Sequence, residues 1–244
     1  MNLSTSIVNS IQCTLKAIYR YGERTHGLKK LDFNVIKFSQ KSKTKEPLTL
    51  EKEMIIWQYC LNNKERISLA MSLGLYAGLR ISEICALKWE DIDLENSMIS
   101  ITKTVQRLKS ENHEQKTQLY ILEPKSTSSI RSVILPDFLT EYLKKYNDLY
   151  NKDFFILSNK EIPVDPRIIQ KNFRKICKAN DIDATFHTLR HTYATNCIKT
   201  NIDVKTLSET LGHANVNITL NRYVHTSLDF KKQQINKIEP PIKP

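Results

Sequence analysis

The spacing of apolar residues changes twice along this chain of 244 residues, and this change constrains the fold more than any other feature. On both sides the apolar residues recur every third or fourth position, which indicates amphipathic helices. Between these parts, residues 98–102, 119–122 and 132–135 are short apolar runs bounded by polar residues, a pattern typical of strands. The chain is therefore predicted to be α+β and mainly α, with one small antiparallel sheet.

Capping residues refine the predicted helix ends. Gly27 is predicted to end the first helix, and Thr49 to cap the second, which has acidic residues in its first turn. Ser82 is placed to cap a helix that begins near Ile81, and the polar stretch Lys103 to Thr117 is predicted to be a long loop. Helices are predicted at residues 4–26, from 48 onward, and at 66–77, 81–87, 138–150, 166–178, 185–200, 204–211 and 218–223.

A lysine-rich polar stretch at residues 37–47 ends in Pro47 and is typical of a linker. We therefore predict three parts: a helical segment with linker at residues 1–45, a main domain at 46–235 and a polar tail at 236–244.

The charge balance favours an anionic partner. Lys and Arg total 37 against 26 for Asp and Glu, a net charge of +11, which suits nucleic acid or a membrane surface. No apolar run reaches the roughly 18 residues that a transmembrane helix needs, and the N-terminus lacks the pattern of a secretory signal. The five cysteines are scattered, which argues against a disulfide framework or a zinc site and predicts free thiols in a reducing cytoplasm.

Residues 187–223 concentrate the candidate chemistry. His187 and His191 are four residues apart, as in zinc proteases, but Thr188 stands where such a motif needs a glutamate. Arg190 between the two histidines would repel a metal ion. The pattern therefore favours an anion site over a metal site.

Several of the other candidates also have ordinary structural explanations. Arg80 follows a glycine turn between two apolar helices, so it either pairs with Glu83 one turn later or clamps a phosphate while Glu83 holds it. His213 after Gly212 could be part of a helix cap, and Tyr223 could be a core aromatic.

Six residues resemble, in their order along the chain, the catalytic residues of the tyrosine recombinase family, the phage and conjugative transposon integrases. They are Arg80, Lys125, His187, Arg190, His213 and Tyr223. The resemblance covers about residues 47–235 and is most specific at 77–83, 187–191 and 211–223. It implies a tyrosine-recombinase-like catalytic domain preceded by a helical core-binding segment. Because only about 45 residues precede the linker, we expect that segment to be partial, as in a fragment or a shortened protein.

The resemblance also implies roles around a scissile DNA phosphate. Arg80 and Arg190 would clamp its non-bridging oxygens, His213 would hydrogen-bond it, and Glu83 would support the first arginine.

The remaining roles concern the nucleophile and the leaving group. Tyr223 would attack and form a 3′-phosphotyrosine, with His187 assisting proton transfer. Lys125, in a turn before the last strand, would protonate the leaving 5′-oxygen; Lys109 and Lys116 are alternatives in the same region.

The resemblance implies no metal and no ATP. It implies double-stranded DNA as the partner, a homo-oligomer on DNA (a tetramer in the family), a possible directionality factor and a bacterial host. We expect residues 224–238 to pack on a neighbouring protomer, although folding back onto the same protomer is the alternative.

Two other functions use the same residues or the same fold. One is a type IB topoisomerase-like enzyme that nicks and reseals DNA, and the other is an inert DNA-binding regulator. Candidate contacts to the DNA backbone are Lys41, Lys43, Lys45, Lys103, Arg107, Arg131, Lys171 and Arg174.

Overall fold

The computed structural model describes residues 3–29, 46–110, 116–124, 127–147 and 151–223, with the backbone alone described for Ser6, Thr127, Asn147 and residues 221–223. The chain forms two compact units, Met1–Thr44 and Lys45–Pro244. Most of the predicted linker, with Lys41, Lys43 and Lys45, lies outside the described residues, as do Lys125 and the segment after residue 223. The predicted domain limits therefore stay predictions.

The first unit contains helix α1, Thr5–His26. The side chain of Ser4 accepts a hydrogen bond from the backbone N–H of Ile7 and so caps the N-terminus. Gly27 ends the helix in the left-handed conformation with φ 61°, as the sequence predicts, because glycine adopts this conformation without steric cost.

Helix α3 is the centre of the second unit. All residues from Ile67 to Leu75 are buried, since α2, α5, α6 and α7 surround this helix. A helix that is apolar on all sides has to be buried in this way. The helices of this unit are α2 (Leu50–Asn62), α3 (Arg66–Tyr76), α4 (Ile81–Ile84), α5 (Asp137–Asn147), α6 (Pro166–Ala179), α7 (Phe186–Lys199), α8 (Val204–Leu211) and α9 (Val216–Tyr223).

The strands form two small antiparallel sheets rather than the single sheet predicted. The first sheet has the order β1 (Ile92–Asp93), β2 (Met98–Ile101), β5 (Arg131–Ile134), and in the second β3 (Thr104–Lys109) pairs with β4 (Thr117–Leu122). Short 3₁₀ turns at Trp89–Asp91 and Thr127–Ser129 precede β1 and β5. The prediction of a mainly helical α+β fold is confirmed.

Strand β3 contradicts the predicted loop from Lys103 to Thr117. Its first residues, Thr104 and Val105, are buried, whereas its last two are exposed. Most of its side chains are polar because the strand leaves the core as it proceeds, so the apolar alternation that identifies a strand is weak here. Strand β4 pairs with β3 and β5 pairs with β2, so the two strands on either side of Lys125 belong to different sheets.

The start of α4 also differs from the prediction, because Ser82 lies inside the helix. The N-cap is Arg80, whose backbone N–H donates to Oε2 of Glu83 at 2.8 Å. A glutamate at the third helical position can reach back to the cap in this way. No helix among the described residues is long and apolar enough to cross a bilayer.

Candidate functional site

The turn between α3 and α4 depends on Gly78. Its φ is +64°, and a Cβ at this position would lie 2.4 Å from Cδ1 of Tyr193 on α7. Its carbonyl oxygen accepts a hydrogen bond of 2.7 Å from Nη1 of Arg190. The glycine therefore allows α7 to approach closely enough for Arg190 to be held by the turn that precedes Arg80.

We expect Gly78→Ala to lower the free energy of unfolding by roughly 2–4 kcal/mol, since it adds left-handed strain to a clash with Tyr193. Urea denaturation measures the change. Gly74→Ala is the matched control, because Gly74 lies within α3 and its new Cβ would meet side chains only at 3.2 Å or more. A loss no larger at Gly78 than at Gly74 would contradict this account of the turn.

Arg190 is only 2% exposed, although its side chain carries a charge. Its Nη1 donates to the carbonyl of Gly78, and its Nη2 donates at 2.6 Å to the carbonyl of Leu211 and lies 3.2 Å from Nε2 of His213. Carbonyl oxygens orient a guanidinium but carry no net charge, so these bonds do not cancel its positive charge. Arg190 thus connects the α3–α4 turn with the end of α8.

Arg80 forms the pair with Glu83 that its sequence position allows. Nη1 forms an ion pair of 2.7 Å with Oε1 of Glu83, and Nη2 donates at 3.2 Å to the carbonyl of Gly212. These bonds use two of the five guanidinium N–H donors. The side chain is 34% exposed, so the acid fixes the guanidinium while donors stay available for an anion from solvent.

Arg131 occupies a different place from the predicted contact with DNA. Its Nη1 and Nη2 each donate at 3.0 Å to one carboxylate oxygen of Glu83, and its side chain is 6% exposed. Its Nε donates at 2.6 Å to the carbonyl of Thr210, and Nη1 donates at 3.1 Å to that of Ser129. The guanidinium of Arg131 is therefore buried and bound to the protein on several sides, and its contact with DNA stays a prediction.

Arg107 is also held within the fold. Its Nε pairs with Asp165 at 2.8 Å, and Nη1 donates at 3.1 Å to both oxygens of Thr117. Asp165 also caps α6, so this pair joins the β3–β4 sheet to a helix. Unlike Arg131, Arg107 is 26% exposed.

Glu83 is the acid that the two arginines Arg80 and Arg131 share. Burial by itself would raise the pKa of this carboxyl group, but the hydrogen bonds and charge of Arg131, followed by the charge of Arg80, outweigh burial and hold the pKa below its ordinary value. Glu83 is therefore ionised at neutral pH and holds the guanidinium groups of Arg80 and Arg131.

We expect Arg131→Met to lower the free energy of unfolding by about 3 kcal/mol, because one member of a buried pair is lost and Glu83 keeps only Arg80. Arg107→Met is the control, with an expected loss of about 1 kcal/mol for a more exposed pair. Urea denaturation of both variants measures the difference. Equal losses would show that Arg131 contributes no more than a surface pair.

Gly212 ends α8 in the left-handed conformation with φ 61°, and the ring of His213, the next residue, makes contacts beyond this cap. The ring of His213 extends toward Arg190 through Nε2, and its Nδ1 lies 2.8 Å from the hydroxyl of Thr219 on α9. Arg80, Arg190 and His213 therefore meet around the α8–α9 junction.

His187 lies in the first turn of α7 and is exposed. With Arg80 and Arg174 it lines a cavity of about 340 Å³ between α4, α6 and α7. The ring of His187 is perpendicular to that of the buried His191 at 6.0 Å. His187 and Arg80 thus line the same cavity, and Arg80 also bonds to Gly212, the residue before His213.

Three other candidates lie elsewhere or are only partly described. Tyr223, of which only the backbone is described, is the last residue of α9, a helix that contacts α7 and α8. Lys171 is exposed on α6, and Lys103 is half-buried after β2.

Sequence reasoning missed two residues of this site. The sequence does not show that Arg131 bonds to Glu83 or that Thr219 bonds to His213. The available signal for Thr219 was its spacing, since it lies four residues before Tyr223 in a predicted helix and therefore shares a face with it.

The chain forms a mixed α+β domain, and a glycine turn, a helix and a Gly-His junction bring two arginines and a histidine together in it. This arrangement is characteristic of the catalytic domain of tyrosine recombinases. The chain belongs to the Phage integrase family, whose family model matches residues 47–229. The resemblance seen in the sequence is thereby confirmed.

Two relatives are tyrosine recombinases. One, from Thermosipho africanus, is 33% identical over 190 residues, which cover 77% of this chain and 59% of the relative. The other, a XerC-like tyrosine recombinase from Caldanaerobacter subterraneus subsp. tengcongensis, is 30% identical over 195 residues, covering 71% of this chain and 48% of the relative. The chain thus spans about half the length of these relatives.

A solved structure shares the fold. The Tn1549 transposon integrase in complex with transposon right end DNA superposes with a TM-score of 0.81 at 23% sequence identity, and the match covers 97% of this chain and 80% of that one.

Proposed function

We propose that this chain is the catalytic part of a site-specific DNA recombinase of the integrase type, which acts through a covalent 3′-phosphotyrosine. The observation that carries the proposal is the meeting of Arg80, Arg190 and His213 at the junction of α8 and α9, the helix that ends in Tyr223. Residues 1–45 would be part of a core-binding segment, 46–235 the catalytic domain and 236–244 a tail.

The arginines would bind the scissile phosphate. Arg80 has N–H donors that its bonds to Glu83 and Gly212 do not use, and Arg190 adds a positive charge fixed by backbone carbonyls. Guanidiniums that are already oriented stabilise the charge that develops on the phosphate oxygens in the transition state better than water does. This positive charge would do the work of a metal ion, so we propose that no metal is required.

The phenolic oxygen of Tyr223 would attack the phosphorus and release the 5′-oxygen of the next nucleotide. His187 would assist removal of the phenolic proton, and Lys125 would protonate the leaving oxygen. A phenol has a pKa near 10 and needs such help to be a nucleophile. The bond from phosphorus to tyrosine replaces the bond to the 5′-oxygen, so one phosphate ester is exchanged for another.

This exchange conserves the energy of the phosphodiester, so ATP is not needed. The free 5′-hydroxyl of a second strand can attack the phosphotyrosine and reverse the step. Strand exchange between two DNA sites, rather than hydrolysis, is therefore the outcome that we propose.

The partner would be double-stranded DNA; the solved structure of the Tn1549 integrase is a complex with transposon right end DNA. Exposed Lys171 and Arg174 on α6 are the best placed of the described candidates for backbone contacts, while Lys41, Lys43, Lys45 and Lys103 complete the set. Binding to phosphates should weaken steeply with salt. A homo-oligomer on DNA, a possible directionality factor and a location at the bacterial nucleoid in the cytoplasm complete the proposal.

A nicked suicide substrate tests the proposal directly. When cleavage beside the nick releases a short oligonucleotide, the reverse reaction is lost and the covalent complex accumulates on a denaturing gel. We expect an adduct in the presence of EDTA and without ATP, and mass spectrometry of the digested adduct should identify Tyr223. A protein that binds DNA without forming an adduct would be an inert regulator, and the proposal would be wrong.

A second assay separates recombination from topoisomerase activity. DNA with two recognition sites should yield exchanged products if the chain is a recombinase. Relaxation of supercoils without exchanged products would instead support a nicking and resealing enzyme.

A further inference from the structure

Thr219 is a buried threonine on α9, the helix that ends in the proposed nucleophile Tyr223. It lies beside the cation cluster, which consists of Arg80, Arg190 and His213. Its exposed fraction is 0%, and its hydroxyl oxygen lies 2.8 Å from Nδ1 of His213. It lies on α9, four residues before Tyr223, the last residue of that helix. One hydrogen bond therefore joins the His213 imidazole to α9.

The neighbours of His213 determine where its proton lies. Arg190 can only donate hydrogen bonds, so an Nε2 that is 3.2 Å from its Nη2 has to accept. A neutral imidazole has one N–H, and this N–H is then on Nδ1, where the Thr219 hydroxyl accepts it. The resting geometry thus favours the tautomer with the proton on Nδ1.

This tautomer is the wrong one for donating to a phosphate from Nε2. To donate, the ring has to carry a proton on Nε2, either as the other neutral tautomer or as the imidazolium. A threonine hydroxyl can both donate and accept, so Thr219 can bond to Nδ1 in each of these states by rotation about its C–O bond. A valine of similar shape could do neither.

We propose that Thr219 is a positioning residue for His213: its hydroxyl holds the imidazole in the cluster in both proton arrangements and ties α9 to it. The catalytic consequence rests on the function proposed above, whereas the hydrogen bond itself does not. This role is distinct from catalysis, because Thr219 acts through His213.

Charged groups face His213 from several elements of the fold. Arg190 faces it from α7, and Arg80 from the start of α4 donates to the adjacent Gly212. Arg131 on β5 lies close to Gly212, since its Nη1 would be 3.0 Å from a Cβ added to this glycine. Glu83 lies between Arg80 and Arg131. Arg190 favours a neutral ring in which Nε2 accepts, and that tautomer also needs the Thr219 hydroxyl to accept the proton on Nδ1. Without the hydroxyl, the Nδ1–H group loses this bond and the tautomer is favoured less.

NMR tests the hydrogen bond without any reaction. Long-range ¹H–¹⁵N spectra of the ¹⁵N-labelled chain distinguish the two neutral tautomers, and the signals of His213 are those lost in His213→Gln. We expect a protonated Nδ1 in the wild type and in Thr219→Ser, and a mixture of tautomers in Thr219→Val. The same tautomer in Thr219→Val as in the wild type would overturn the proposal.

The rate of adduct formation on the suicide substrate then tests the consequence. We expect Thr219→Val to be about tenfold slower with a changed pH–rate profile, and Thr219→Ser to recover to within about twofold of the wild type. Thr195→Val is the control, since its hydroxyl bonds only to a backbone carbonyl of α7 and its rate should not change. All variants are first compared by thermal unfolding, so that a loss of fold is not mistaken for a loss of rate.

Two outcomes contradict the role of the hydroxyl group in the reaction. One is a wild-type rate in Thr219→Val. The other is a Thr219→Ser rate as low as that of Thr219→Val, which would show that a hydroxyl group at this position does not restore the rate. If the wild-type chain forms no adduct, the proposed function fails, and the NMR spectra still decide whether Thr219 positions His213.

Discussion

Tyr223→Phe is expected to abolish the covalent protein–DNA adduct and to leave DNA affinity within about twofold of the wild type. The substitution removes only the oxygen that would become esterified, so the reaction has no nucleophile. The basic surface and the arginine cluster are unchanged, so phosphate binding persists. Denaturing gels measure the adduct, and electrophoretic mobility shifts at several salt concentrations measure affinity.

Tyr120→Phe is the matched control, because Tyr120 lies on β4 and has no proposed role in the reaction. It should form the adduct at the wild-type rate. An adduct that persists in Tyr223→Phe would show that another residue attacks, and the assignment of the nucleophile would be wrong.

Glu83→Gln is expected to cause the largest loss of stability, about 3–5 kcal/mol, because it removes the negative charge between two guanidiniums. Glu83 is 2% exposed and bonds to Arg80 and Arg131 at 2.7–3.0 Å. An amide would also direct N–H donors toward guanidinium donors. Urea denaturation at neutral pH measures the loss. The control is Glu141→Gln, whose exposed pair with Lys144 should change stability by less than about 1 kcal/mol.

The pH dependence of this effect has a definite sign. Because the folded pKa of Glu83 lies below its ordinary value of 4.5, the ionised carboxylate stabilises the protein fully above that pH. The contribution is lost as the pH falls through the lowered folded pKa. The stability difference between the wild type and Glu83→Gln should therefore shrink as the pH falls below about 4.5. A difference that stays constant there would contradict the role of charge.

Local sequence signals predicted most of the helices because helix formation depends on neighbours in the chain. The cap at Thr49, the glycine that ends α1 and the limits of α8 all follow from residues within one turn. The predicted cap at Ser82 is wrong, because α4 is capped at Arg80, whose backbone N–H donates to Glu83. The loop predicted where β3 lies is also wrong, because the polar residues of this strand do not show the apolar alternation typical of strands.

The residue types of the candidate site were visible in the sequence, but the partners of Arg131 were not. Its bonds reach Glu83, 48 residues earlier, and Thr210, 79 residues later. The charge of an arginine shows that it needs an anion, and nothing local shows whether that anion is a DNA phosphate or a buried glutamate.

The family, the fold class and the candidate residues can therefore be predicted from the sequence, because they depend on order and spacing along the chain. The folded chain is needed to show that Arg80, Arg190 and His213 meet beside α9, that Arg131 pairs with Glu83 and that Thr219 bonds to His213. Hydrogen bonds and ion pairs act over a few ångströms in space, and folding alone brings residues that are as far apart as Arg80 and Gly212 within that distance.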